Sequence, residues 1–532
     1  MMAIAIALLM TTAAQSQLNM NAVPQKKYLS YMECYLSNNT VVKKMRTISS
    51  YDYTLLTGNH CNEVLRLESG KFYVVQEKTV KYQRLIAPSG APANLIICDN
   101  AELNAPITID TGCSLNIFGQ RNNTGHLAAS AAENSWYAQP GIGSNNPEGM
   151  GRVTIHGSFV DAVGRNYAAG IGGGAYTSGK YTYFIDGGEV IIYGGKVTAY
   201  GSDYSAGIGG SGGIRISNQD GTCGRGGKLR IYGGYVYARG GDYGAGIGGG
   251  LNAGGGEVEI FGGEVEARGG AYAAGIGGGR VTDTSEHYYP FDGGRLTVHD
   301  GKIKAYGGKY GAGIGGGRQG SGGTVTINGG DVFADGGLDA AGIGSGEEGF
   351  CDPNINGGKL TVNGGHVFAD GTGWGAGIGG GEDADGAEVI INGGVVEAYA
   401  GSDAGEKNGA AFGSENGDGS HGSLKIASHM TVFAGKKPEK IEREFPGGER
   451  VPACYWRPYA RVQPKAGVNK TNEFNAGFEE VAEGTTGIES LASEPSPTGE
   501  GSAYYTLNGR KLEGKPTAPG IYVWHGKKIV VK

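Results

Sequence analysis

The repeat unit of the sequence holds no stretch with helical spacing, and past its first residues the chain has no apolar run long enough to span a membrane. It has no Cys-x-x-Cys pair. Its seven cysteines, at 34, 61, 98, 113, 223, 351 and 454, are odd in number and irregular in spacing. They indicate neither a zinc site nor a disulfide framework. A Cys34–Cys61 pair stays open, and Cys98 and Cys113 lie in strand-like runs that suit buried thiols. There is no surplus of positive charge: the net charge is −7 with mixed signs, which argues against a nucleic-acid partner. The nine histidines are scattered. Asp335 and Asp370 occupy equivalent positions one repeat apart, near Asp331, as a hydrolase of paired carboxylates would need. No His, Lys or Arg joins them in a recognisable constellation, so the chain reads as non-enzymatic.

What is abundant is glycine, 106 of 532 residues, without the three-residue period of collagen. The phrase AGIGGG stands at 169–174, 245–250, 274–279, 312–317 and 376–381, with altered copies at 140–144, 206–210, 341–346 and 410–414. The central residues run from Ile142 to Phe412 at intervals of 29 to 39 residues. A fixed unit with variable insertions is the mark of stacked repeats. In the shortest unit, residues 254–279, Val258 and Ile260 alternate with glutamates, Val265 and Ala267 with Glu264, Glu266 and Arg268, and Ala274 and Ile276 with glycines. Period-two alternation means strands. Three strands and three glycine corners per unit predict an all-β fold, a right-handed parallel β-helix of about nine or more three-strand turns, with a small C-terminal β module. The rival reading is an antiparallel sandwich or barrel. Stacking predicts a register in which Glu257 lies between Lys228 and Arg295, and Glu264 between Tyr235 and Lys302.

The run LIICDNAELNAPITIDTGCSLNIFGQRNNTGHLAA from Leu95, followed by the AGIGGG units, resembles a family of secreted repeat proteins of gut-dwelling bacteria. These are described as adhesin-like or carbohydrate-binding-like. The resemblance covers about 75–435 and implies a β-helix and an extracellular life, with no catalytic residues to carry over. The pattern LNGRKL…PGIYVWHGKKIVVK at 507–532 resembles the C-terminal half of sorting domains of the type IX secretion route of Gram-negative bacteria. It implies secretion and outer-membrane surface attachment.

The expected organisation is a signal peptide at 1–16, an N-terminal extension or cap at 17–70, β-helix repeats at 71–435, a cap and linker at 436–485, and a linker with the sorting-domain-like module at 486–532. The insertions fall mainly after AGIGGG, at 175–186, 211–226, 280–292, 345–356 and 382–387, and should project from one edge, where repeat proteins often bind.

Three residues before the Gly-Ile-Gly come Tyr167, Tyr204, Tyr243, Tyr272 and Tyr310, then Asp339 and Trp374. Such a column is either a platform for sugar rings or a self-stacked corner. Before the first glycine corner come Tyr193, Tyr232, Phe261, Asp300, Asn328, Asn363 and Asn392, whose asparagines suit a structural ladder. Gly275 and Gly277 should face outward, making a flat third face for a polymer, or else serve backbone packing. Glu382, Asp383, Asp385 and Glu388 crowd one insertion; calcium is the cofactor such oxygens would take, against a plain solvated loop. The function expected is that of a secreted or cell-surface adhesin-like protein binding a polysaccharide or glycoprotein along an elongated surface. The alternatives are a lyase or glycoside hydrolase of β-helix type, and a passive surface spacer.

Overall fold

A computed structural model describes residues 26–427, with breaks at 132–137, 179–180, 214–223, 283–291, 348–354, 401–409 and 415–421, and beyond 427 a set of short strands. The signal-peptide reading of 1–16 lies outside the described residues. The chain is a parallel β-helix. One sheet has 13 strands, each paired in parallel with its equivalent in the next rung, from Tyr53–Leu56 to Ser423–Ile426. The second and third strands of each rung make a further sheet of 23 strands. At roughly 4.8 Å per rung the stack is about 58 Å long.

The alternating residues explain the pairing. Ile107, Ile142, Ile171, Ile208, Ile247, Ile276, Ile314, Ile343, Ile378 and Phe412 are successive Cα partners, and every one is buried. Val236, Val265 and Ile303 form a second buried column, and Ala238, Ala267 and Ala305 a third. A buried Val or Ile side chain contributes about 1.5–3 kcal/mol, and no rung can bury its own. Neighbouring rungs supply the missing wall.

The solenoid begins earlier than the repeat phrase suggests. Its first strand is Tyr53–Leu56 rather than a strand after Lys71. In the earliest rungs a single strand, Val80–Ile86, serves two faces, pairing with both Glu102–Asn104 and Ile107–Thr108. Those rungs carry no Gly-Ile-Gly, so the nine phrases undercount the coil.

Ahead of the coil, Tyr28–Ser37 and Thr40–Ser49 form an antiparallel hairpin. Asn38 and Asn39 turn it, both at positive φ, as a type I′ turn demands. The hairpin lies along the side of the stack. Tyr31 packs 5.7 Å from Phe72 and 5.0 Å from Phe118 between ring centroids. The Met32 N–H donates to Gly119 O at 2.9 Å and the Cys34 N–H to His156 Nδ1 at 3.1 Å. Cys34 and Cys61 are both free thiols, which removes the pairing left open above: Cys34, on the hairpin, is buried against His156 of the coil, while Cys61 is exposed.

The charge register holds. Glu257 pairs with Lys228 on one side and Arg295 on the other, and Glu264 with Tyr235 and Lys302. Lys228 Nζ lies 3.7 Å from Glu257, and both Lys302 and Lys304 lie 3.5 Å from Glu264. Arg230 ties three rungs, 2.8 Å from Glu189 and 2.8 Å from Glu259. Exposed pairs are worth about 0–1 kcal/mol each. Arg230→Met is expected to lower the urea midpoint by the equivalent of about 1 kcal/mol, with a smaller loss in high salt; an unchanged midpoint at low salt would refute the bridging role.

Gly275 and Gly277 do not form an open face. They are buried, and a Cβ on either would run into the backbone of Gly313 or Gly315 in the next rung. The third strands approach too closely for a side chain at Gly275 or Gly277, which is why the residues on either side of the isoleucine are glycine.

Near the C-terminus, Tyr504–Thr506, Lys511–Leu512, Gly520–Trp524 and Lys527–Val531 form a four-stranded antiparallel sheet. The turns expected at Asn508-Gly509 and His525-Gly526 lie outside the described residues.

Candidate functional site

The tyrosine column is set by its backbone. In each rung the chain leaves the second strand through a glycine loop before entering Gly-Ile-Gly. The Tyr243 N–H donates to Asp203 O at 2.8 Å, Tyr272 N–H to Asp242 O at 2.9 Å and Tyr310 N–H to Ala271 O at 3.1 Å. Each loop therefore hangs on the loop before it. The rings follow: Tyr167, Tyr204, Tyr243, Tyr272 and Tyr310 stack in succession at 4.9, 5.1, 5.3 and 5.6 Å. Stacked pairs of this kind contribute about 0.5–1.5 kcal/mol beyond burial.

The internal ring faces are occupied by one another. What the column shows to solvent is its edge and one end, where Tyr167 is 43 % exposed. None of the five phenol hydroxyls has a hydrogen-bond partner among the described residues. Cations line the column. The Arg280 guanidinium lies 4.5 Å from the Tyr272 centroid and 5.4 Å from that of Tyr243; Arg318 lies 5.0 Å and Lys309 5.1 Å from Tyr310. Arg318 is neutralised by Glu347 at 2.7 Å. Trp374, expected in the same column, stands one rung beyond Asp339, whose carboxylate accepts the Trp374 N–H at 3.0 Å. Asp339 interrupts the aromatic stack, so Trp374 is not joined to Tyr310.

A second aromatic column runs along the corner after the first strand. Phe118, His156, Tyr193, Tyr232, Phe261 and His299 stack at 4.3, 5.4, 5.0, 4.6 and 4.5 Å. The sixth member is His299, not Asp300: Ile260 pairs with Val298, so Phe261 meets His299. Asp300-Gly301 replaces the usual Gly-Gly there, which shifts the sequence-based alignment by one. Phe118 and His156 each precede a glycine, a signal that marks them in hindsight. The column then continues as the expected ladder, Asn363 Nδ2 donating to Asn328 Oδ1 and Asn392 Nδ2 to Asn363 Oδ1, both at 2.9 Å. The hairpin covers the start of this column at Phe118 and His156, and burial depresses the His156 pKa to about 4.

The acidic insertion is drawn into the coil. Asn356 forms a parallel bridge with Asp385, and the Asp385 N–H donates to Ile355 O at 2.8 Å. Asp383 takes a left-handed turn conformation. Glu388 begins a strand and is ion-paired with Lys359 at 2.8 Å. Among the described residues no group of three or more His, Cys, Asp or Glu gathers where it could hold a metal ion. Asp335 and Asp370 pair in register and are buried, while Asp331 stands at the far end of its strand opposite His366.

Six segments of the chain, residues 153–175, 190–213, 229–251, 258–280, 296–318 and 325–347, match a family model of a beta helix repeat. The chain is a β-helix repeat protein. Each matched repeat starts inside a first strand and closes after the third, so the repeat of the family model and the structural rung coincide. No curated protein and no solved structure matches the chain. Five of the six matched repeats carry a tyrosine of the first column.

Proposed function

We propose that this β-helix repeat protein is displayed outside a Gram-negative cell and binds glycans without transforming them, in the manner of an adhesin. The observation that carries the reading is the five-tyrosine column: a row of phenol hydroxyls without partners among the described residues, one per rung, flanked by Arg280 and Arg318. A polymer lying along the axis would meet the same polar and aromatic edge at each step. Individual contacts of this kind are weak, and repetition along a rigid rod converts them into avidity. The N-terminal apolar stretch, the resemblance to secreted repeat proteins of gut-dwelling bacteria, and the sorting-domain-like pattern at 507–532 support export and surface attachment.

The test is a glycan array on the full chain and on the triple variant Tyr204→Phe, Tyr243→Phe, Tyr272→Phe. Phenylalanine keeps the stack and removes the hydroxyls. The expected result is an unchanged melting temperature with binding weakened by roughly tenfold or more, as loss of several ligand hydrogen bonds predicts. Failure of the wild-type chain to bind any glycan would favour a passive spacer, and release of cleavage products would favour an enzyme.

A further inference from the structure

On the third face, each rung from Ile142 to Ile378 places glycine on both sides of its isoleucine. The earlier rungs break that rule. Leu85 pairs with Ile107 and Ile86 with Thr108; Ile107 in turn pairs with Ile142 and Thr108 with Gly143. Arg84 and Thr108 therefore carry side chains at levels where later rungs have none. Together with Asp110, Pro140, Asn146 and Tyr176 they wall a cleft of about 520 Å³. Tyr176 comes from the insertion after the first AGIGGG, which forms the hairpin Ala175–Ser178 with Tyr181–Phe184. Its ring is 42 % exposed.

The charge in this cleft is incomplete. Arg84 Nη1 donates to Thr108 Oγ1 at 2.7 Å and Nη2 to Gln139 Oε1. Both partners are neutral, and among the described residues no carboxylate lies within ion-pair distance of Arg84. Burial disfavours its charged form, and Asp110 offsets this only at longer range. A guanidinium has five donors in a planar fork that fits a carboxylate, and two are used here. Asp110, held by the Ser144 hydroxyl at 2.6 Å, repels a polyanion but accepts hydrogen bonds from hydroxyls. A ligand with one carboxylate at one end and hydroxyls at the other satisfies both, and a flat apolar ring face suits Tyr176 and Pro140.

We propose that this cleft binds a carboxylate-bearing sugar residue, its carboxylate on Arg84, its ring against Tyr176 and its hydroxyls toward Asp110. The inference rests on the glycan-binding reading and names the class of sugar. It uses residues that the tyrosine column does not contain, so the two can fail separately.

The experiment is titration calorimetry of the full chain with an oligogalacturonate, with sialyllactose, and with a neutral maltooligosaccharide. Wild type is expected to bind at least one acidic probe, with affinity falling as salt rises; which one binds tells a hexuronate from a sialate. Arg84→Gln should weaken that binding at least tenfold and Tyr176→Ala about tenfold, as expected for a bidentate charge contact and an aromatic platform. Tyr176 lies on an exposed hairpin, so its variant keeps the test meaningful if Arg84→Gln lowers stability. Acidic-probe binding that the triple Tyr→Phe variant loses while both cleft variants keep it would place that probe on the column and overturn the cleft. The proposal is overturned if wild type binds neither acidic probe, or if both cleft variants bind them as tightly as wild type. A loss of neutral-glycan binding confined to the triple variant, with no acidic probe bound by wild type, would overturn the cleft and leave the tyrosine-column reading standing alone.

Discussion

Replacing Gly277 by alanine is expected to split the thermal unfolding of the coil, whereas Gly278→Ala, one residue on, is expected to leave it nearly unchanged. Gly277 sits at φ +142°, a region that residues with a Cβ rarely enter. A Cβ there would also lie well inside 3.0 Å of the Gly315 carbonyl oxygen. The same column continues rung by rung, Gly248 against Gly277 and Gly315 against Gly344, so relief in one rung is passed to the next. A methyl carbon at Gly278 would stand 3.5 Å from Asp292 O, its nearest neighbour, which is an ordinary contact. Backbone strain of this kind costs about 1–3 kcal/mol before any clash is counted, so roughly 3 kcal/mol or more is expected at Gly277. Because stability in a solenoid is a sum over neighbouring rungs, the damage should break cooperativity locally. Hydrogen exchange should rise first in residues 247–315. Equal melting curves for the two variants would disprove the close-approach account.

Lowering the pH from 7 to 4.5 is expected to release the N-terminal hairpin while the coil stays intact. His156 accepts the Cys34 N–H at Nδ1 and is stacked on Phe118, so the docked state holds it neutral. Burial lowers its pKa from 6.5 to about 4, partly offset by the charge of Glu33. The folded-state value is depressed, so the stabilisation is whole above about 6.5. It falls as the pH drops from 6.5 toward 4, where the undocked state binds a proton that the docked state refuses. The loss across that window is about 3 kcal/mol. Hydrogen exchange over residues 28–49, corrected for intrinsic rates, reads it directly. His156→Phe should flatten the pH profile while costing about 1 kcal/mol for the unpaired Cys34 N–H. Equal protection of the wild-type hairpin at pH 7 and 4.5 would sink the idea.

The rungs from Gly141 onward are legible in the sequence because two signals coincide there. Val258 and Ile260 alternate with glutamates, and the Gly-Ile-Gly phrase fixes where each rung begins. Together they set the register to the residue, Lys228 against Glu257 included. The earliest rungs escape because Val80–Ile86 turns from one face to another without a glycine corner. The hairpin escapes because residues 28–49 repeat nothing; its place depends on Tyr31 meeting Phe72 and Phe118, a contact no local pattern encodes. The slip from His299 to Asp300 shows how one substituted corner glycine misleads an alignment of repeats. The third face misleads for a different reason. Sequence cannot tell a glycine that turns the chain from one that merely has no room, and only the spacing of rungs decides. Arg84 looks unremarkable in sequence, since its neighbour Gln139 is 55 residues away.

The ladder also constrains how such a chain can be assembled. Ile276 needs Ile247, 29 residues behind it, and Ile247 needs Ile208, 39 behind; among the described residues no core partner of theirs waits at the far terminus. A polypeptide delivered from one end, off a ribosome or through a narrow pore, can therefore lock each segment onto the last as it emerges. Growth by addition to a finished edge limits the loop-closure entropy at every step, and the free edge is always the newest one, where misassociation would have to begin.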